Sequence, residues 1–316
     1  MAMILYERGL LELETPVIGV VPEFLADSCG ELDARRRDVT FRMLLAHSSG
    51  LPAYEKLFLK QHSRDDLLRA AFTTSLSTDP GTHAQYSDLG FIVLGAALER
   101  IAGESLDAFC QREIFGPLGM VSTTFNPPKE SRATISPTAD ERTEQERGAP
   151  AREKPTEAVP AEASAAARST FRQRIIQGEV QDENASVLGG VAGHAGLFST
   201  AEDLARFAHV LLHEGRPILR PETIALFARR QSAPAATSRA LGWDTPSSPS
   251  QSGTHLGPRS FGHLGYTGTS LWIDPDRQLS ITLLTNRIWP DCANQAIRQV
   301  RPKFHDAVVE ALNKPT

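Results

Sequence analysis

A tyrosine and an aspartate stand two residues apart, directly before a stretch with helical apolar spacing. A tight turn at Pro80-Gly81 leads to Tyr86 and Asp88 at the start of this predicted helix. A phenol that faces a cleft beside a cation has a lowered pKa and can transfer protons, which makes Tyr86 a candidate catalytic residue. A structural interpretation stays open, in which Ser87 or Asp88 caps the helix and Tyr86 packs on the core.

Three glycines surround a histidine in the run from Gly262 to Gly268, which includes His263 and Gly265. Glycine weakens a strand unless another backbone or a ligand must approach it closely. The pattern therefore suits a substrate that lies along the strand, with backbone N–H groups directed at a developing oxyanion. A β-bulge that contains a hydrogen-bonded histidine is the alternative.

Other candidate nucleophiles and metal ligands have less support. Ser48, Ser49 and Ser87 lie near the predicted cleft, but none has the Gly-x-Ser-x-Gly setting of an α/β-hydrolase or a lysine partner. His209 and His213 are four residues apart on one predicted helix, yet the Glu of a His-Glu-x-x-His zinc site is missing. A solvated helix face is the preferred interpretation, and the sequence implies no metal and no organic cofactor.

Helix caps and apolar spacing indicate the elements that position these residues. Capping residues predict helices that begin after Thr40 and Ser63, and Ser199 with Glu202 predicts another. The strongest amphipathic helix is expected at 88–103. The period then changes, because the last third of the chain contains β-type runs at 261–265, 270–273 and 279–285, followed by a helix at 293–312. Helices followed by an antiparallel meander indicate an α+β architecture.

The composition excludes several classes of protein. The 316 residues are 41% hydrophobic, and 33 Lys and Arg against 38 Asp and Glu give a net charge of −5. No basic patch suggests a nucleic-acid surface, and no apolar run reaches the roughly 18 residues of a membrane span. The three cysteines lie far apart and are expected to be small buried hydrophobes. The first residues carry no recognisable signal peptide.

Several segments together resemble the serine hydrolase superfamily that contains class C β-lactamases, penicillin-binding proteins and related esterases. The matching segments are Thr-Phe-Arg-Met-Leu-Leu-Ala-His-Ser-Ser-Gly-Leu at 40–51, Pro-Gly at 80–81 with Tyr-Ser-Asp at 86–88, Phe-Gly-Pro-Leu-Gly-Met at 115–120, Gly-Glu-Val-Gln-Asp-Glu-Asn-Ala at 178–185, Gly-His-Ala-Gly-Leu-Phe-Ser-Thr-Ala-Glu-Asp-Leu at 193–204 and His-Leu-Gly at 263–265. Asp182, Glu183 and Asn184 within them either line the cleft or cap a turn. Only 127–168 and parts of 233–254 fall outside the resemblance.

The resemblance implies roles for individual residues. Tyr86 and Asp88 correspond to the superfamily's Tyr-x-Asn motif, which makes Tyr86 the general base or a proton relay. Asp88 replaces the motif's Asn, so it keeps an acceptor and adds a charge at a substrate-orienting position. His263 and Gly265 correspond to the strand motif Lys-Thr-Gly or its His variant. His263 is then expected to bind the substrate's carboxylate or polar end, and the Tyr266 backbone N–H to be an oxyanion donor.

The superfamily's first motif, Ser-x-x-Lys, is absent from this sequence. It carries the serine that is acylated and the lysine that activates it, whereas the six lysines here follow Ala, Leu, Asn, Ala, Val and Ala by three residues. In relatives, this motif opens a helix whose far end resembles residues 1–9. We therefore expect a truncated sequence whose sheet lacks the N-terminal strands and exposes an edge. An upstream extension could also carry a signal peptide, so the compartment stays open.

Two explanations for the missing motif are considered. In the first, the sequence is an incomplete version of an active hydrolase. We favour it because Tyr86 and the His263 strand have little reason to persist without a nucleophile. In the second, the short form is a binding or regulatory module that has lost catalysis.

The sequence as a whole predicts a β-lactamase/transpeptidase-like α+β fold, an antiparallel sheet with a helical subdomain. It is expected to form one domain over residues 1–316, with a flexible insertion at about 127–170 where large apolar residues are scarce. The implied reaction is acyl transfer from a β-lactam, an ester or a D-amino-acid peptide. A small-molecule acyl substrate is the expected partner, with no nucleic acid and no membrane span. Without Ser-x-x-Lys, we expect negligible activity from this chain.

Overall fold

Helices dominate the chain up to residue 228, and an antiparallel sheet with one long helix follows. The computed structural model describes residues 1–142, 171–290 and 292–313. The helices of these ranges are α1 (Ala2–Glu7), α2 (Phe41–Leu45), α3 (Arg64–Thr73), α4 (Asp88–Ala102), α5 (Leu106–Cys110), α6 (Glu183–Val187), α7 (Ala201–Leu212), α8 (Pro221–Ala228) and α9 (Ile297–Asn313). A π-helical turn, Gln111–Phe115, continues α5.

The strands form one three-stranded sheet and two short ladders. In chain order they are β1 (Thr124–Phe125), β2 (Ala139–Asp140), β3 (Ile175–Ile176), β4 (Leu197–Phe198), β5 (Phe261–Leu264), β6 (Ser270–Asp274) and β7 (Leu279–Leu283). The sheet has the antiparallel order β5-β6-β7, while β1 pairs with β4 and β2 pairs with β3. The predicted α+β architecture with an antiparallel meander is therefore confirmed.

Side-chain caps define where the helices begin. Thr40 Oγ1 accepts a hydrogen bond from the Met43 N–H at the start of α2, and Ser87 Oγ accepts one from the Gly90 N–H at the start of α4. These bonds satisfy backbone donors that have no partner within the helix. Gly103 ends α4 in the left-handed conformation, with φ +70°. The predicted limits of this helix are confirmed to within one residue.

The cap of α7 differs from its prediction by one residue. Thr200, and not Ser199, accepts the hydrogen bond from the Asp203 N–H. The Ser199 hydroxyl instead bonds Thr123 Oγ1 at 2.8 Å and so links the start of α7 to a neighbouring loop. The Ser199 and Glu202 capping box is therefore wrong, because two adjacent hydroxyl residues offered the same local signal and a distant contact selected between them.

The two outer strands of the sheet, β5 and β7, differ in what lies along their outer sides. On the outer side of β5, Gly262 exchanges two backbone hydrogen bonds with Asp244, at 2.7 and 2.9 Å. In the described ranges, no strand pairs with the outer side of β7, so the expected exposed edge is found there. The central strand β6 is the most buried, and its Trp272 is 1% exposed.

Aromatic and aliphatic side chains from both parts of the chain share the main core. Phe41, Phe109, Phe227 and Phe261 are each 1% exposed and belong to this single cluster. Each buried side chain of this size contributes roughly 1.5–3 kcal/mol relative to an exposed position. The core therefore joins the helices to the sheet, with α4, β5 and β6 all contributing side chains to it.

The predicted insertion at about 127–170 falls largely on residues 143–170, which lie outside the described residues. The described flanks meet each other, because β2 pairs with β3 in the register Ala139 to Ile176. Beside this ladder, Arg172 and Glu141 form an ion pair at 2.6 Å, with side chains 5% and 3% exposed. Residues 127–142 thus have defined neighbours, while the flexibility expected for the insertion stays a prediction. Among the described residues, no helix is long and apolar enough to cross a membrane.

Candidate active site

A cleft of about 1770 Å³ extends from the start of α4 and the outer side of β5 along α4 as far as Met1 and Ala2. It is larger than the roughly 300–1,000 Å³ of an ordinary small-molecule pocket. The residues predicted from the sequence all line it: Tyr86, Asp88, His263, Gly265 and Tyr266. Its wall also contains polar residues that the sequence did not single out as site residues: Tyr54, His194, Arg239 and Arg301. The structure therefore brings the two predicted constellations to one place.

Tyr86 faces the cleft from the loop before α4. It is 39% exposed, and its ring centroid lies 5.9 Å from that of His263. The Arg239 guanidinium lies over the Tyr86 ring, 5.3 Å from its centroid. Burial and the charge of Asp88 nevertheless raise the pKa of Tyr86 to about 12, against the opposing effect of Arg239. The expected lowering of the Tyr86 pKa is therefore wrong, because the nearby carboxylate and burial outweigh the cation.

Asp88 is a carboxyl group with an unusually high proton affinity. Burial raises the pKa of Asp88 to about 6, with Asp182 adding to the increase and His194 opposing it. Burial and the carboxylates Asp182, Glu183 and Asp88 also raise the pKa of Tyr54 well above its ordinary value. This end of the cleft is therefore rich in carboxylates and phenols, and Asp88 is partly protonated just below neutral pH.

His263 is a neutral histidine of defined tautomer. Its Nδ1 lies 2.9 Å from the Leu264 carbonyl oxygen, which can only accept, so Nδ1 carries the hydrogen. Burial and the charge of Arg239 lower the pKa of His263. The other ring nitrogen, Nε2, is consequently an acceptor. An acceptor does not bind a carboxylate, so this tautomer disfavours the carboxylate-binding role expected for His263.

The three glycines near His263 each have a neighbour within the protein. A Cβ on Gly262 would lie 2.3 Å from the Leu271 carbonyl oxygen, and one on Gly265 would lie 2.1 Å from Thr269 Oγ1. Gly268 has a φ of +116°, which L side chains rarely adopt. The hairpin itself requires these glycines, so they do not by themselves indicate a substrate along the strand.

The outer side of β5 still presents backbone donors to the cleft. Gly262 bonds outward to Asp244, whereas the Gly265 N–H bonds inward to the Thr269 carbonyl at 2.8 Å. Direction alternates along a strand, so the Leu264 N–H also points outward. Tyr266 lies in the turn after β5, and its N–H belongs to the trans peptide whose Gly265 carbonyl oxygen accepts from Arg301, so this N–H points away from Arg301. Within the part of the chain that the structure describes, the Tyr266 N–H has no acceptor. This is the geometry expected of an oxyanion donor.

A buried arginine from α9 braces the turn that follows β5. Arg301 is 5% exposed and donates to the carbonyl oxygens of Gly265 and Thr269, at 2.6 and 2.8 Å. It also donates to Gln251 Oε1 at 2.9 Å. Because the Gly265 carbonyl and the Tyr266 N–H belong to one planar peptide group, Arg301 fixes the direction of the Tyr266 N–H.

The sequence interpretation missed a buried histidine–carboxylate pair. His194 Nε2 lies 2.9 Å from Asp182 Oδ1, and the His194 side chain is 2% exposed. Asp182 also accepts the Ala185 N–H at the start of α6. Burial tends to raise the pKa of Asp182, but the His194 and Ala185 donors outweigh it and hold the pKa below its ordinary value. Both residues lie in segments that carry the resemblance, yet only the fold shows that they meet.

The alternative nucleophiles are buried, and the paired histidines lie on an exposed surface. Ser48, Ser49 and Ser87 are at most 3% exposed, and the Ser87 hydroxyl donates to the Pro52 carbonyl at 2.7 Å. His209 and His213 stack at 3.9 Å on the exposed face of α7. Across the described ranges, no cluster of three or more His, Cys, Asp or Glu could hold a metal ion.

Comparisons with known proteins agree with this fold. The family described as Beta-lactamase matches residues 1–300. N-acetylmuramyl-L-alanine amidase of Bacillus subtilis (strain 168) is 31% identical over 300 residues, and the putative D-alanyl-D-alanine carboxypeptidase of Escherichia coli (strain K12) is 28% identical over 304. In each case the match covers 90% of this chain and 64% of the relative. This chain thus corresponds to less than two thirds of either relative.

Solved structures show the same fold at lower identity. EstCE1, a hydrolase with promiscuous acyltransferase activity, is similar with a TM-score of 0.66 and 22% identity, over 94% of this chain and 80% of that one. A penicillin-binding protein homologue from Caulobacter crescentus has a TM-score of 0.66 and 18% identity, over 96% and 78%. The predicted β-lactamase/transpeptidase-like fold is confirmed.

Proposed function

The chain belongs to the beta-lactamase family of serine hydrolases, and from this premise we propose that its cleft binds an acyl substrate that carries a carboxylate. The observation that carries the proposal is the convergence of Tyr86, Arg239 and the Tyr266 N–H on one cleft. The names of the amidase and carboxypeptidase relatives favour a peptide-like amide, such as a D-amino-acid peptide, over a simple ester.

The carbonyl of such a substrate would lie along the outer side of β5. The Tyr266 N–H would donate to the carbonyl oxygen, where negative charge develops during acyl transfer. Arg301 supports this role because it holds the Gly265 carbonyl, which shares a peptide group with the donor. Gly265 contributes by allowing the turn, since its own N–H is used within the hairpin.

Tyr86 would act as a proton donor or relay, and not as a preformed base. With a pKa of about 12, its phenol keeps its hydrogen at neutral pH. A protonated phenol can donate to the leaving group of the substrate or to a substrate oxygen. Asp88 would orient the substrate through its carboxylate, which accepts hydrogen bonds from an amide N–H.

The substrate's carboxylate would bind Arg239, which lines the cleft beside Tyr86 and His263. Asp244 forms a long ion pair with this guanidinium, with 3.7 Å between Arg239 Nη1 and Asp244 Oδ2, which is beyond hydrogen-bond distance. Guanidinium groups bind carboxylates through paired hydrogen bonds. We assign the carboxylate to Arg239 in place of His263, because neutral His263 offers only an acceptor nitrogen.

We propose further that the 316-residue chain binds this substrate without turning it over. Its sequence has no Ser or Thr three residues before a Lys. Ser48, Ser49 and Ser87 are buried and are not among the residues that line the cleft. Ser136, Ser199 and Ser270 do line it, but none of them stands three residues before a lysine in the sequence. The acyl-enzyme pathway therefore lacks its nucleophile within these 316 residues.

Calorimetry and turnover assays on the purified chain test the two parts separately. Titration with acetyl-D-alanyl-D-alanine and with penicillin G is expected to give saturable binding, weakened by Arg239→Gln. Nitrocefin and a nitrophenyl ester are expected to be hydrolysed at the uncatalysed rate. Hydrolysis that Tyr86→Phe abolishes would contradict the proposed lack of turnover. If neither ligand binds, the proposed binding of an acyl substrate is contradicted.

A further inference from the structure

His47 occupies a backbone conformation that few non-glycine residues adopt. It follows α2 with a φ of +56°, in the left-handed region. Histidine is among the residues that enter this region more often than most, but the conformation remains unfavourable. A residue is held there only when its surroundings determine it strongly, which makes its contacts informative.

His47 accepts hydrogen bonds from the residues on both sides of Tyr86. The Gln85 N–H donates to the His47 carbonyl oxygen at 2.9 Å, and the Ser87 N–H donates to His47 Nδ1 at 3.0 Å. His47 therefore binds the residue before Tyr86 with its backbone and the residue after it with its side chain. The second bond requires Nδ1 to be without a hydrogen, so Nε2 carries it.

The His47 ring also supports Tyr86 from behind. It lies between the rings of Tyr86 and Phe91, with centroid distances of 4.5 and 4.6 Å. Ring pairs at such distances attract each other beyond simple burial. His47 is 5% exposed and is not among the residues that line the cleft, so it cannot touch a substrate there.

We propose that His47 is a positioning residue that fixes the direction of the Tyr86 phenol toward the cleft. The two hydrogen bonds set the backbone of residues 85–87, and the ring stack sets the plane of the Tyr86 ring. The left-handed backbone lets one residue make both contacts. The inference rests on the proposed function only in treating Tyr86 as a residue of the active site.

The surroundings of His47 keep the required acceptor available. Burial, followed by the charge of Arg239, holds the pKa of His47 well below its ordinary value. Tyr86 faces the ring from the loop before α4, and Phe91 faces it from within α4. A neutral ring keeps Nδ1 free of a hydrogen, so the bond from Ser87 persists at physiological pH.

Two substitutions separate the hydrogen bond from the backbone conformation. Both glycine and asparagine tolerate a positive φ, but asparagine keeps an acceptor near the position of Nδ1. We therefore compare His47→Asn with His47→Gly, and use the exposed His62→Asn as the control. Hydrogen exchange of peptides that cover 84–88 and 92–101 is measured in the free chain, together with the melting temperature.

In His47→Gly, peptide 84–88 is expected to exchange about ten-fold faster, while α4 and the melting temperature change little. In His47→Asn, the exchange of 84–88 is expected to stay within about three-fold of the unaltered chain. Equal exchange in the two variants would overturn the proposal. If the glycine variant does not fold, the asparagine variant still tests the proposal. Exchange of 84–88 more than about three-fold faster in His47→Asn than in the unaltered chain would also overturn the proposal.

The affinity for penicillin G provides the second readout. His47→Gly is expected to weaken binding about five-fold to ten-fold, the loss typical of one hydrogen bond. In a Tyr86→Phe background the same change is expected to weaken it less than about two-fold, because the hydroxyl that His47 positions is gone. An equal loss in both backgrounds would contradict action through Tyr86. Failure of the unaltered chain to bind any acyl ligand would overturn the proposed function alone, since the exchange measurement needs no ligand.

Discussion

At the scale of single residues, Asp88 couples the charge of the cleft to pH. Its folded-state pKa of about 6 exceeds the ordinary 3.8, so the folded protein binds this proton more tightly than the unfolded chain does. Burying the Asp88 carboxyl therefore costs no stability at low pH, where it is protonated in both the folded and the unfolded state. The cost grows as the pH rises above the ordinary pKa and reaches its full size above about pH 6. Asp88→Asn is expected to raise the free energy of unfolding by about 1–3 kcal/mol at pH 8 and by little at pH 4.

Urea unfolding at the two pH values measures this effect. Glu202→Gln is a suitable control, because the Glu202 side chain is 76% exposed. An equal gain at both pH values from Asp88→Asn would mean that the burial of the charge is not the cause.

Arg239 is the residue that gives the proposed site its preference for an anion. Arg239→Gln is expected to weaken the binding of acetyl-D-alanyl-D-alanine about ten-fold or more, because a hydrogen-bonded charge is lost. The methyl ester of the same ligand has no carboxylate and is expected to lose less than about two-fold. Calorimetry on both ligands makes the comparison, with Arg206→Gln on the exposed face of α7 as the control. Equal losses for acid and ester would exclude Arg239 as the carboxylate partner.

At the scale of elements, the β5–β6 hairpin depends on one small contact. A Cβ on Gly265 would lie 2.1 Å from Thr269 Oγ1 but 3.4 Å from Thr269 Cβ. Gly265→Ala is expected to lower the free energy of unfolding by about 1–3 kcal/mol, the usual cost of overpacking. Thr269→Ala removes the obstructing oxygen, so the double variant is expected to recover most of the loss. Urea unfolding of the four members of the cycle checks this, and strictly additive losses would refute the steric explanation.

Elements with local signals were predictable, and contacts between distant residues were not. The limits of α4 follow from Ser87 and Gly103, which act on their own helix. The hydrogen bond between His47 and Ser87 joins residues 40 positions apart, and the one between Arg301 and Gly265 joins residues 36 positions apart. No local pattern encodes such pairs, so His47, Arg301 and the Asp182–His194 pair could be assigned only from the fold. The raised pKa of Tyr86 belongs to the same class, since burial decides it.

At the scale of the whole molecule, the proposed lack of turnover concerns this 316-residue chain and has a direct test in the native protein. The measurement is to identify the N-terminal peptide of the native protein by mass spectrometry and to compare it with the translated genomic reading frame upstream of Met1. A Ser-x-x-Lys in that peptide would make the native protein an active acyl-transfer enzyme of the family. A native N-terminus at Met1 would favour the binding or regulatory module considered from the sequence.

The ion pair between Arg172 and Glu141 joins the two ends of the peptide between them, beside the β2–β3 ladder. β2 and β3 bring the two chain positions together by pairing with each other. Loop length enters stability only logarithmically, so replacing 143–170 by about six Gly and Ser residues is expected to change the free energy of unfolding by roughly 1 kcal/mol. Thermal melting of the shortened chain measures this, and a large loss would show that those residues stabilise the fold.

If stability is retained, this position is a natural junction for domain insertion. A reporter domain with adjacent termini, grafted between Arg142 and Phe171, would sit beside the cleft wall formed by Glu141 and Phe171. Ligand binding could then be converted into an optical signal without altering any residue of the site.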